Sequence, residues 1–118
     1  MALACGDPKS PTEPLVVPEA RTVSASDFTF TPSELRVRAG ERVTWRNAGG
    51  FHNVEADDGG FRCAEGCDHD GGDGAPSSAA WTFSLTLLQP GTVPYFCAVH
   101  GAPGGLGMSG RIIVEAGS

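Results

Sequence analysis

Four side chains in this sequence have the types and spacing to do chemistry together. Cys97, His100 and Met108 fall in one Gly-rich stretch that runs from Tyr95-Phe96-Cys97 through Gly104-Gly105 to Gly110. A second histidine, His52, stands upstream beside Asn53 and Val54. One thiolate, two imidazoles and a thioether form the donor set of copper that cycles between Cu(I) and Cu(II). The sulfur donors are soft and hold Cu(I), imidazole suits both states, and a His₂Cys plane with a weak axial Met is an electron-transfer arrangement. Each residue alone has an ordinary explanation: a strand Cys is a small hydrophobe and a Met before a strand is core. Their joint presence in one loop, with His52 on an earlier segment, favours the metal reading.

Such donors need a rigid frame, and the chain supplies the pattern of one. Val23, Phe28 and Phe30 mark an extended segment that ends at Thr31-Pro32. Leu35 and Val37 alternate with Arg36 and Arg38, and Val43 and Trp45 with Arg42, Thr44 and Arg46, as half-buried strands do. If those two strands pair, the four arginines share one solvent face. Residues 51–56 begin another strand. Trp81, Phe83, Leu85 and Leu87 alternate with Thr82, Ser84 and Thr86; Val93, Tyr95 and Cys97 alternate next; Ile112, Ile113 and Val114 form the last strand. With 17 Gly and 9 Pro in 118 residues and no amphipathic helical pattern, the prediction is an all-β Greek-key β-sandwich of seven to eight strands.

The length allows one ordinary domain. Residues 1–20, with Pro8, Pro11, Pro14 and Pro18, read as an extended tail or tether, and residues 21–116 as the folded domain. Ala2-Leu3-Ala4-Cys5-Gly6 resembles the cleavage region of bacterial lipoproteins, which makes Cys5 a candidate lipid anchor, with Met1 an added start if a signal was removed; the alternative is a plain tail with an incidental Cys. Eight Lys and Arg against 14 Asp and Glu leave a formal charge of −6, the wrong sign for nucleic acid or an anionic membrane surface. Half of the acidic residues lie between Glu55 and Asp73, mostly in a long loop over residues 57–78.

Taken in order, Phe28-Thr29-Phe30-Thr31-Pro32, Val37 to Asn47, His52-Asn53-Val54, Tyr95-Phe96-Cys97 with His100, and Gly107-Met108-Ser109-Gly110 resemble a cupredoxin, a small blue copper protein of the plastocyanin, pseudoazurin and halocyanin type. The resemblance spans residues 28–115. It implies one type 1 copper ion bound by His52, Cys97 and His100, with Met108 axial. It also implies that Asn53 ties the two ligand segments together by hydrogen bonding near the Cys97 sulfur. Seven residues separate His100 from Met108, more than in familiar members, and the added Gly, Ala, Pro and Leu are expected to bulge without disturbing the ends.

With Cys97 assigned to copper and Cys5 to a lipid, Cys63 and Cys67 remain. They read as a disulfide closing a small ring, or with His69 as a second metal site; the disulfide is preferred because a Cys pair and one His leave a zinc site short of ligands. The implied function is a one-electron carrier, not an enzyme, serving transient redox partners such as a cytochrome, oxidase or reductase. It is expected to be exported to the periplasm or outer face of a membrane, to be monomeric, and to touch a membrane only through Cys5. The alternative is a copper storage or delivery protein using the same ligands.

Overall fold

The computed structural model describes residues 21–116. Nine strands follow in chain order: β1 (Thr22–Ser26), β2 (Thr29–Thr31), β3 (Glu34–Arg38), β4 (Arg42–Asn47), β5 (Val54–Ala56), β6 (Arg62–Cys63), β7 (Thr82–Thr86), β8 (Gly91–Ala102) and β9 (Leu106–Glu115). A short 3-10 turn spans Asp68–Asp70. No helix among the described residues is long and apolar enough to cross a membrane. The tail through residue 20, with Cys5, lies outside the described residues.

Two sheets form, in the orders β2-β1-β4-β7 and β3-β9-β8-β5-β6. β1 runs parallel to β4 and β3 parallel to β9, while the other neighbours are antiparallel. Side chains alternate across a strand, so Leu35 and Val37, Val43 and Trp45, and Ile112 and Val114 all point inward and are buried. Trp45 joins the layers: its ring stacks on Phe83 in its own sheet (5.2 Å between centroids, 9° between planes) and meets Tyr95 of the other sheet edge-on at 5.5 Å. Phe30 also meets Tyr95 edge-on, at 4.9 Å.

The sandwich and its alternation agree with the sequence reading, but two details differ. β3 and β4 do not pair: they belong to opposite sheets, with Ala39-Gly40 turning the chain between layers. The four arginines are exposed but occupy two separate faces, Arg36 reaching Glu115 and Arg46 reaching Ser24. The second difference lies at the ligand stretch. It is not an irregular loop, because β8 continues to Ala102 and β9 begins at Leu106.

Candidate metal centre

The hairpin β8–β9 explains how a long spacing still converges on one point. Phe96 pairs with Ser109, and Gly101 pairs with Gly107, with a register shift between them. Cys97, Ala98, Val99 and His100 therefore stand against Met108 alone. This bulge crowds the donors at one level of the strand pair. The added residues pair as Ala102 with Leu106 and turn through Pro103-Gly104-Gly105, so they extend the hairpin tip instead of bulging at the site. At the tip, Asp57 Oδ2 accepts a hydrogen bond from the Gly104 N–H at 2.9 Å. Gly101 and Gly107 let the two backbones approach: a Cβ at Gly107 would sit 2.5 Å from the His100 carbonyl oxygen, and its φ of +64° suits glycine.

His52 enters from the other side, just before β5. Its backbone exchanges two hydrogen bonds with Ser77, at 3.2 and 3.1 Å, and its carbonyl also accepts the indole N–H of Trp81 at 3.1 Å. Cys97 Sγ lies 3.8 Å from His52 Nδ1 and 3.8 Å from His100 Nδ1. A trigonal first-row ion with bonds of about 2.3 Å to sulfur and about 2.0 Å to nitrogen would hold such a donor pair about 3.8 Å apart. The donor set and its spacing therefore fit copper. The Cys97, His52 and His100 donor atoms all lie within 4.8 Å of one another. Cys97 and His52 are buried, His100 is half-buried, and Met108 is buried on β9 where it faces the bulge.

Burial pushes the His52 imidazole below its ordinary pKa; the Gly49 backbone opposes this, His100 adds to it, and Asp27 opposes it weakly. The Gly49 contact falls short of a formed hydrogen bond, since His52 Nε2 is buried with no partner. The neutral imidazole that results is the form that binds a metal. Asn53 is fully buried and links both ligand segments. Its Oδ1 accepts the Ala98 N–H at 2.8 Å, beside Cys97, and its Nδ2 donates to the Gly74 carbonyl at 3.0 Å.

Two contacts were missed in the sequence. Phe28 meets the His100 ring edge-on at 4.6 Å, and Gly74 anchors Asn53 from the acidic loop. The first had a faint signal, an aromatic in a turn; the second had none, because any residue carries a carbonyl. Cys63 and Cys67 are disulfide-bonded. His69 lies near their sulfurs, but those sulfurs are spent on each other, which removes the second metal site.

A β-sandwich that brings a cysteine sulfur between two imidazoles, with a buried Met on the adjoining strand, is the architecture of a cupredoxin. Residues 18–115 match the family model of copper binding proteins of the plastocyanin/azurin family. The chain is 33% identical over 87 residues to a chloroplastic plastocyanin of Oryza sativa subsp. indica, covering 73% of this chain and 54% of that one. It is 37% identical over 90 residues to plastocyanin of Scenedesmus fuscus, covering 73% and 86%. Among solved structures it resembles amicyanin from Paracoccus versutus, with a TM-score of 0.58, 27% identity and 85% of each chain covered. The chain belongs to the plastocyanin/azurin family of copper-binding proteins.

Proposed function

We propose that this chain is a type 1 copper protein that carries single electrons between redox proteins, with His52, Cys97, His100 and Met108 as the residues that would hold the metal. The observation that carries the reading is the placement of both imidazole Nδ1 atoms 3.8 Å from one buried thiol sulfur. When bound, copper supplies a one-electron couple. The protein's part is to keep the ligands still while that charge changes. Cys97 is locked in β8 between core strands, His52 is pinned by Ser77 and Trp81, and Asn53 holds the Ala98 backbone at a fixed distance from Gly74. Burial of His52, Cys97 and Met108 keeps water from the donors. His100 is the half-buried ligand and faces outward beside Phe28 and Phe51, which are exposed. A small apolar face around one ligand edge suits brief contacts with a redox partner, usually below ~1,200 Å². The acidic loop between Glu55 and Asp73 would steer a basic partner at low salt.

Residues 1–20 serve as a tether, with a lipid at Cys5, and residues 21–116 as the copper domain. The disulfide suits an oxidising compartment, which supports export to a periplasm or outer membrane face. The test is the optical spectrum of copper-loaded protein. An intense blue thiolate-to-copper band that vanishes in Cys97→Ser is expected. A colourless Cu(II) form, or a band that survives Cys97→Ser, would refute the site. Rapid handover of copper to a chelator, without reversible one-electron voltammetry, would favour storage or delivery instead.

A further inference from the structure

We propose that the five-residue disulfide ring from Cys63 to Cys67 is a positioning clamp on the segment that carries His52 and Asn53, and that its integrity governs how firmly the site retains its metal. The retention half of this rests on the copper reading above; the positioning half does not.

The ring reaches the ligand segment by three routes. Glu65, inside the ring, accepts the Ser77 hydroxyl at 2.9 Å through Oε2, and Ser77 is the residue that exchanges both backbone hydrogen bonds with His52. Cys63 itself pairs with Val54, the residue after Asn53. From Cys67, whose carbonyl accepts the N–H groups of Asp70 and Gly72 at 3.0 Å each, the chain turns back towards Gly74. The Gly74 carbonyl then receives Asn53 Nδ2, and Asn53 Oδ1 receives the Ala98 N–H beside Cys97. Gly74 is itself held tightly: its φ is +64°, and a Cβ there would collide with the Arg62 carbonyl. The Arg62 guanidinium bonds the Asp73 carbonyl at 2.8 Å, and the Arg62 N–H bonds Asp68 Oδ1 at 3.1 Å.

General stabilisation is a weak account of such a ring. A disulfide acts mainly by restricting the unfolded chain, and that effect is smallest for short rings. What a ring of this size does well is fix a local backbone. Here that backbone lies in an Asp- and Gly-rich excursion, and its far end holds one histidine and the asparagine that supports the cysteine segment. Loosening the ring would free Ser77 and Gly74 together, and so both supports of the site.

The test uses the full chain and three variants: Cys63→Ala with Cys67→Ala, Glu65→Ala, and Glu65→Gln, which keeps an acceptor oxygen for Ser77. In metal-free protein, amide hydrogen exchange is followed at His52 and Ala98 and, for reference, across β4. Exchange at His52 and Ala98 should speed up about tenfold or more in the double cysteine variant. At His52 it should speed up about threefold in Glu65→Ala, with Glu65→Gln close to the parent. Copper-loaded protein, reduced and mixed with excess bicinchoninate, should lose Cu(I) faster in the same order. Exchange at His52 and Ala98 that changes only in proportion to β4 would reduce the ring to a general stabiliser and overturn the clamp. So would unchanged copper loss alongside a folded double variant. If that variant does not fold, the Glu65 pair decides, because it leaves the disulfide intact. A parent protein that takes up no copper would sink the carrier reading, while the exchange experiment would still judge the clamp.

Discussion

Replacing Gly107 by alanine puts a methyl group between the two strands that carry His100 and Met108. The new Cβ would stand 2.5 Å from the His100 carbonyl oxygen and 3.0 Å from the Gly101 Cα, both backbone atoms that cannot swing aside. The residue's φ of +64° adds a left-handed penalty of about 1–2 kcal/mol for a side chain. Forcing backbone apart in a packed site costs about 1–3 kcal/mol more. Gly105 is the internal control, since its φ is +80° but nothing lies within 4 Å of its Cβ position. Gly101 is the converse: it has no positive φ, but its Cβ would meet the Met108 and Leu106 carbonyls. Gly105→Ala should therefore cost the left-handed term alone, Gly101→Ala the contact term alone, and Gly107→Ala both, about 2–5 kcal/mol. For a domain of this size each kcal/mol lowers the melting temperature by about 4–8 °C. Calorimetry of the metal-free variants should rank Gly107→Ala well below Gly105→Ala. Melting temperatures within about 2 °C of each other would show that the hairpin does not close over the site as described, and the account of the ligand spacing would fall with it.

Asn53→Ala removes one buried and one part-buried hydrogen bond and leaves the Gly74 carbonyl without its side-chain partner. Urea titration should find a loss of about 2–4 kcal/mol, and a loss below about 0.5 kcal/mol would contradict the link between ligand segments. Phe28→Gly relieves left-handed strain at φ +64°, a gain of about 1–2 kcal/mol, and forfeits an aromatic pair worth about 0.5–1.5 kcal/mol. Stability should stay nearly constant while the His100 ring protons lose their ring-current shift in NMR spectra; unchanged shifts would remove the ring contact. His52 has a folded pKa depressed below its ordinary 6.5, so the unfolded chain binds more protons as pH falls through that value. The stability of metal-free protein contributed by His52 is thus fully present above pH 6.5 and lost below it. A urea midpoint that falls from pH 7.5 to 5.5, and falls less in a His52→Gln variant, is the expected result.

Much of the frame was legible because strand alternation is a local property. Leu35 and Val37, Val43 and Trp45, and Ile112 and Val114 announce their inward faces by their neighbours alone, and each is buried. The donor residues were legible for a related reason: thiol, imidazole and thioether are rare side chains, and their order along the chain survives folding. That Asn53 ties the ligand segments together by hydrogen bonding near Cys97 followed from the family resemblance, and its hydrogen bond with Ala98 agrees with it.

Partnership between distant segments was not legible. The sequence left open whether the two Arg-bearing strands pair; β3 pairs with β9 and β4 with β1 and β7, because layer assignment depends on which apolar faces meet. The Gly-rich ligand stretch suggested a loop, yet it is a bulge in a hairpin whose pairing resumes at Gly101–Gly107 and leaves three turn residues at the tip. Gly74 carries no side chain to mark it, and Glu65 looked like one more charge in an acidic run. Their roles rest on hydrogen bonds to Asn53 and Ser77 across many residues of chain. By itself the sequence determined the donor set, the alternating strands and the cysteine pair, all properties of side-chain type and short spacing. Tertiary structure decided how the donors converge at 3.8 Å and which loop braces them. Both outcomes depend on backbone groups that every residue possesses and that only packing can aim.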